Sequence, residues 1–307
     1  MTSTISFPNR GPWGDSGWRG NASGHVTREL IEHFELKPNQ HLFVDVCEGS
    51  GTSGDVCRDL GIDYVGLDLH KGQDFTKDSV LASLDRPGDI VYSHFPYHDM
   101  IKYSSGVYGN EILPGDTSHC KSVGEFLAMS QIGLLNQREA TKEGGIYTTL
   151  IGDQRGGSLK GDVSVGNFAS YQADFINMMP KSELFAVVIK HQHNTVSGRK
   201  TYANKNFIAI EHEYLLIWRK TKKTLMQVSF DMATAHQRLV ATTWRNAIRM
   251  AMISLGGKAT LKDIYAEVEK VPGVGKLIAN NQNYKAKIRQ TMQKHYQNVE
   301  RGVWAVA

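Results

Sequence analysis

The sequence predicts an α/β domain with a largely parallel sheet over roughly residues 20–222, followed by a small helix-rich unit that ends in a hairpin. Three observations carry this. Short continuous apolar runs such as HLFVDV, YVGLDL and EYLLIW alternate with stretches of helical spacing, the pattern of strands covered on both faces and joined by crossover helices. After the basic run from Arg219 to Lys223 that alternation stops and helical spacings dominate. The charge changes sign earlier, near residue 180. Residues 1–179 hold 14 Lys/Arg against 23 Asp/Glu, residues 180–223 hold 9 against 3, and residues 240–307 hold 11 against 4.

Taken in order, the first 22 residues read as an irregular, glycine-rich arm, and Thr27 to Phe34 as a short helix closed by the turn at Pro38-Asn39. His41 to Val46 is a buried strand running into a glycine cluster, Asp55 to Leu60 a helix, Tyr64 to Leu69 a second strand and Asp89 to Tyr92 a third. Ser122 to Gln137 has helical spacing, Gly145 to Ile151 is a strand, Tyr171 to Met179 a helix, and Leu184 to Ile189 and Glu213 to Trp218 are the last strands. Residues 223–239 form a linker. Beyond it, Thr243 to Leu255 is a helix stopped by Gly256-Gly257, and Thr260 caps a second helix with Asp263 at the capping-box position. Lys285 to His295 is a third helix, and Val299 to Val306 reads as a terminal strand with a Gly turn. Three short helices and a hairpin follow the plan of a winged helix. The expected division is an arm (1–22), a body (23–222), a linker (223–239) and a C-terminal unit (240–307).

Composition excludes several classes. With 307 residues, 40% of them hydrophobic and 21% charged, the chain can bury a sizeable core. No apolar run approaches the ~18 residues of a membrane span, and the first twenty residues lack the apolar centre of a secretory signal. The three cysteines, Cys47, Cys57 and Cys120, have neither zinc nor disulfide-framework spacing, which suits a reducing, cytoplasmic setting. The His191-x-His193 pair lacks a third ligand at a sensible spacing, so no metal is expected. A positive C-terminal third on an acidic body points to a polyanion-binding module.

The most informative stretch runs Asp45-Val46-Cys47-Glu48-Gly49-Ser50-Gly51-Thr52-Ser53-Gly54. Glycines at a strand's end let the backbone approach a ligand, and the helix that follows offers free N–H groups. An acidic residue ending the next strand takes ribose hydroxyls in Rossmann-type sheets. Asp68 follows Gly51 by 17 residues, about that spacing. No Gly-Lys-Ser/Thr follows, so this is no nucleotide P-loop.

The pattern D-x-x-x-G-S-G-T-S closely resembles motif I of the DNA amino-methyltransferases, and the resemblance covers roughly residues 18–222. It implies a Rossmann-like methyltransferase sheet and S-adenosylmethionine as cofactor. Asp45, Gly49, Ser50, Gly51 and Thr52 would hold the methionine part, Asp68 the ribose, and Asp74 with Phe75 the adenine. Gly20 to Gly24 corresponds to the cofactor-covering motif X. At the end of the third strand, Ser93-His94-Phe95-Pro96-Tyr97 resembles the family's [D/N/S]-P-P-[Y/F] motif. By that resemblance His94 accepts hydrogen bonds from the target amine, Pro96 shapes the turn and Tyr97 stacks on a flipped base. His94 stands where the family has a polar acceptor and Phe95 where it has the first proline; a neutral imidazole can still accept one hydrogen bond. The stretches Gly152 to Arg155 and Ile189 to Asn194, each after a core strand, resemble substrate-contacting loops of this family. The motif order is that of the gamma arrangement.

In the C-terminal unit the third helix is the groove-entering one of a winged helix. Ile288 and Met292 face the core, leaving Lys287, Arg289, Gln290, Gln293 and Lys294 outward for duplex DNA, with Arg301 in the wing. Trp244, Tyr265 and Trp304 read as core aromatics. The resemblance therefore implies methyl transfer from S-adenosylmethionine to an exocyclic amino group, adenine before cytosine, with double-stranded DNA as partner and a homodimer or a restriction partner as further company. The altered motif keeps two other readings open: a methyltransferase-like DNA-binding or regulatory protein without catalysis, and an RNA amino-methyltransferase.

Overall fold

The computed structural model describes residues 1–156, 159, 167–193, 208–221, 243–271 and 273–306. The expected linker at 223–239 lies outside the described residues. At the centre is a seven-stranded sheet of β1 (Thr4–Ser6), β2 (Leu42–Asp45), β3 (Asp63–Gly66), β4 (Gly88–His94), β5 (Thr141–Ile151), β8 (Leu184–His191) and β9 (His212–Arg219), ordered β1-β8-β9-β5-β4-β2-β3. The short strands β6 (Gln154–Arg155) and β7 (Phe168–Ala169) pair separately. β2, β3, β4 and β5 run parallel, whereas β9 is antiparallel to both β5 and β8.

Successive side chains of a strand point to opposite faces, and here they feed two cores. Phe43, Ile90, Tyr92, Ile146, Leu215 and Ile217 meet Val26, Leu30 and Ile31 of α1 (Gly24–His33) and Val56 of α2 (Thr52–Leu60). Val44, Val91, Tyr147, Leu216 and Trp218 face α3 (Val123–Ala140) and α4 (Tyr171–Met178). Burial on both faces explains why these strands read as continuous apolar runs. Gln137 of α3 donates to the Val91 and Thr148 carbonyls at 2.7 Å and accepts from Ser93 Oγ at 3.1 Å, which ties β4 to β5 just below the end of β4.

The arm corrects one expectation. It is not irregular throughout, because Thr4–Ser6 adds a parallel edge strand beside β8. From there the arm folds back over α2, where Trp13 Nε1 donates to Asp59 at 2.7 Å and Gly14 N to Asp55 at 2.9 Å.

Beyond the sheet come α5 (Trp244–Ser254), β10 (Lys258–Thr260), α6 (Leu261–Lys270), α7 (Val274–Ala279), α8 (Tyr284–His295), β11 (Tyr296–Glu300) and β12 (Val303–Val306). The expected helices and hairpin are present, together with a strand and a six-residue helix that the periodicity missed. β10, β12 and β11 form a three-stranded antiparallel sheet. This unit docks where the parallel strands begin. Arg245 and Arg249 of α5 both pair with Glu139 near the end of α3, and Asn246 donates to the Lys77 carbonyl. Burial alone would push the Glu139 carboxyl up, but the two guanidinium groups hold it below its ordinary value. Among the described residues no helix is long and apolar enough to cross a membrane.

Candidate functional site

Going from β2 outward, the chain first adds β3 on one side and then returns to place β4 on the other. Crevices at the carboxyl ends of strands at such a reversal are where open α/β sheets bind ligands. The glycine loop occupies that point. Gly49 and Gly51 have φ of +53° and +84°, and Gly51 is the left-handed residue that opens α2. Only glycine takes such angles without strain, so the loop can turn sharply and leave its amides at the ligand side. Asp68 lies just past β3. Its carboxylate accepts from Gly49 N at 2.8 Å, from His70 N at 3.1 Å and pairs with His70 Nδ1 at 2.6 Å.

A cleft opens here, walled by the glycine loop, the end of β4 and the arm, the kind of concave, partly apolar site in which small molecules bind. Asp45, Gly49, Ser50, Thr52, Asp68, Phe75, His94 and Pro96 all line it. Gly51 shapes the turn without being part of the lining. Asp74 is not brought in either: its carboxylate accepts from Thr76 N at 3.0 Å and Thr76 Oγ1 at 2.6 Å. Asp45 is 3% exposed. Burial drives its carboxyl up to about 7, against the hydrogen bonds from Ser53 Oγ (2.6 Å) and Cys47 N (3.0 Å) that favour the charged form.

Much of the lining was not read from the sequence. Trp18 and Tyr108 stack at 6.1 Å, and His70 lies 5.3 Å from each. Gly20 to Ser23, part of the stretch read above as cofactor-covering, do close one side, where Asn21 bonds both Ser50 (2.8 Å) and Thr52 (2.5 Å). Tyr92 Oη and Thr117 Oγ1 are buried without a hydrogen-bond partner among the described residues, and both residues line the cleft. Such groups cost about 1–3 kcal/mol each while unpaired. Asp45, Glu48, Asp68 and Asp116 also line the cleft, and among the described residues no Lys or Arg does.

His94 and residues Gly20 to Ser23 also border a second cavity. Tyr97 lines this second cavity and not the first. Its hydroxyl donates to Glu213 Oε1 at 2.5 Å and lies 2.9 Å from His94 Nε2, while Lys190 Nζ donates to Glu213 Oε2 at 2.6 Å. One edge of its ring packs over Gly152, where a Cβ would come within 2.9 Å. Burial lowers the His94 pKa, with Glu213 opposing and Lys190 reinforcing, so the imidazole is neutral. Burial also acts to raise Glu213, but the Lys190 ammonium, with the Tyr97 hydrogen bond, keeps it below its ordinary value. Glu213 and Lys190 were not singled out by the sequence. Phe95 is 1% exposed and packs edge-on against Phe75 at 5.0 Å, so it serves the core beneath the cleft.

Of the loops after core strands, Gln154 bonds Asp99 at 3.0 Å and Tyr171 at 2.7 Å, and His193 bonds Ser6 at 2.8 Å. Among the described residues no cluster of His, Cys, Asp or Glu could hold a metal. On α8, Ile288 and Met292 are buried, and Lys287, Arg289, Gln290, Gln293 and Lys294 are exposed, as is Arg301 in the hairpin. Lys287 Nζ donates to Gln290 at 3.1 Å and Arg289 Nε to Tyr265 Oη at 3.4 Å.

No protein-family model matches the chain, and no curated protein does. Solved structures similar to it include TehB from Haemophilus influenzae, at 12% identity and a TM-score of 0.34 over 64% of this chain and 62% of that one. The chain thus spans less than two thirds of TehB's length. TrmN from Thermus thermophilus shares 10% identity at a TM-score of 0.35, over 66% of this chain and 51% of that one. A second Thermus thermophilus protein, provisionally named a DNA modification methylase, shares 15% at 0.30 over 70% and 63%. Likenesses this distant assign no activity.

Proposed function

We propose that the cleft binds S-adenosylmethionine and that the chain transfers its methyl group to an exocyclic amino nitrogen of a nucleic-acid base, adenine before cytosine, in duplex DNA. The cleft's charge supports this best: it sits at the reversal of strand order, and among the described residues four acidic side chains line it and no Lys or Arg does. A dinucleotide or nucleoside triphosphate would place phosphates against those carboxylates. A nucleoside carrying a cationic sulfonium and an amino group suits them, and that sulfonium is what supplies an electrophilic methyl group when the cofactor is bound.

The chain's own residues divide the work. Asp45 and the glycine-loop amides would face the amino-acid end, and Asp68 the ribose hydroxyls. The rings of Trp18, His70 and Tyr108 offer flat surfaces beside Asp68, and Tyr92 Oη and Thr117 Oγ1 supply unspent hydrogen bonds. His94, shared by both cavities, marks where a base entering the second cavity would present its amine to the methyl group. The C-terminal unit, read as a winged helix, would hold the duplex through the cationic face of α8, which carries no Asp or Glu.

The test is incubation of the protein with isotope-labelled S-adenosylmethionine and unmethylated DNA or RNA, followed by nucleoside mass spectrometry. Labelled N6-methyldeoxyadenosine is the expected product. Label only in RNA moves the substrate to RNA. Cofactor binding by calorimetry without any label makes the chain a cofactor-responsive DNA-binding protein, and absence of both overturns the reading of the glycine loop.

A further inference from the structure

We propose that Glu213 is a positioning residue that acts through Tyr97 to hold His94 with its Nδ1 as a hydrogen-bond acceptor at the junction of the two cavities. The polarity of the chain of hydrogen bonds requires it. Lys190 carries only donors and occupies Glu213 Oε2 at 2.6 Å, and Tyr97 Oη gives its single proton to Glu213 Oε1 at 2.5 Å. The Tyr97 oxygen can then only accept from His94 Nε2, 2.9 Å away. A neutral imidazole with its proton on Nε2 keeps a lone pair on Nδ1. That nitrogen has no hydrogen-bond partner among the described residues, and His94 borders both cavities. The four residues come from β4 and its following turn, β8 and β9 of one sheet, with β5 between β9 and β4.

The identity of the incoming amine rests on the methyltransferase reading; the tautomer does not. In the reaction the amine's lone pair forms the nitrogen–carbon bond while the carbon–sulfur bond breaks and its electron pair stays on sulfur. The nitrogen, now cationic, gives a proton to His94 Nδ1. The imidazolium keeps its Nε2–H on Tyr97, whose own proton stays directed at the Glu213 carboxylate, so the new positive charge faces a negative one through a single hydroxyl.

The experiment is nitrogen-15 NMR of the histidine side chains in the ligand-free protein, with His94 assigned by His94→Gln. Wild type is expected to show His94 protonated on Nε2. In Glu213→Gln, Lys190 retains the amide oxygen and the amide nitrogen turns to Tyr97. Tyr97 must then donate to His94 Nε2, and the proton moves to Nδ1. In Tyr97→Phe the bias is lost and both tautomers appear. Wild-type protonation on Nδ1, or no change in a folded Glu213→Gln or Tyr97→Phe, overturns the proposal. Activity gives a second readout: Glu213→Gln should lower kcat by ~10²–10⁴-fold, the range of general-base catalysis, with the affinity for S-adenosylmethionine unchanged. If the tautomer switches as described while no nucleic acid is methylated, the positioning role stands and the proposed substrate falls.

Discussion

Two carboxylates at the ends of adjacent strands meet opposite fates, and the difference is testable residue by residue. Asp68 receives the Gly49 amide and His70, and it also faces the cleft. Asp68→Ala removes the loop's tether and, under the proposed function, the ribose contact, so calorimetry should show S-adenosylmethionine affinity falling ~10–100-fold, about the worth of a hydrogen bond to a charged group. Asp45 is buried, with a folded pKa of about 7 against an ordinary 3.8. Between those values the native state binds the extra proton, so this group's stability contribution is present below about pH 4, declines as pH rises and is gone above about pH 7. Urea unfolding of the ligand-free protein at pH 5 and pH 8 should therefore show a loss that Asp45→Asn lacks, on the order of 2–4 kcal/mol. The same substitution should weaken cofactor binding most at pH 8, where the wild-type carboxylate is ionised. These residues were legible in the sequence because the signal is local: an acid or a glycine at the end of an apolar run. Glu213 was not, since it reaches Tyr97 across 116 positions of chain, and Trp18, Tyr92 and Tyr108 carry no spacing that tells a cleft wall from a core.

At the scale of elements, the glycine loop is a strand, a sharp turn and a helix start in immediate succession. Gly51 at φ +84° begins α2 with no side-chain cap. A Cβ there meets nothing closer than Glu48 Oε1 at 3.8 Å, so Gly51→Ala is strained by conformation and not by collision. The expected cost is ~1–2 kcal/mol, read as a lowered denaturation midpoint, with a parallel loss of cofactor affinity if the loop relaxes away from Asp68. Helices and buried strands of the body were read to within a few residues because hydrophobic periodicity reports burial directly. The exceptions are short. β1 and β10 have three residues each, and α7 has six around Gly275; elements that brief owe their form to a neighbour and leave no period of their own. The second strand stops at Gly66, before the expected Leu69, because Asp68 caps a tight turn over Leu69–Lys71.

At the scale of the molecule, the C-terminal unit and the cleft lie at opposite edges of the sheet. Strand β4 runs from Gly88 beside the docked unit to His94 at the cleft, roughly 20 Å at the usual strand rise. Glu139 is the hub of the docking, facing Arg245 and Arg249, which are 8% and 6% exposed. Glu139→Ala strands two buried cations and should cost ~3–5 kcal/mol, measured by thermal or denaturant unfolding. Lys287→Ala, distant from the cleft, should reduce the salt dependence of DNA affinity by about one counterion without altering cofactor binding; equal salt slopes for the variant and wild type would remove α8 from the interface. The helices that follow the sheet were legible from the change in periodicity near residue 223, but where they pack was not, because that depends on a few long-range ion pairs.

The pairing of β1 with β8 places Thr4 opposite Ile189 and Ser6 opposite His191. As the chain leaves the ribosome, β1 must wait for a strand made nearly two hundred residues later. Contacts of such sequence separation form late, because loop closure is paid for before they reward it. The edge of the sheet is thus completed late, whereas the stretch that closes the cleft, tied to Ser50 and Thr52, can settle before β8 exists.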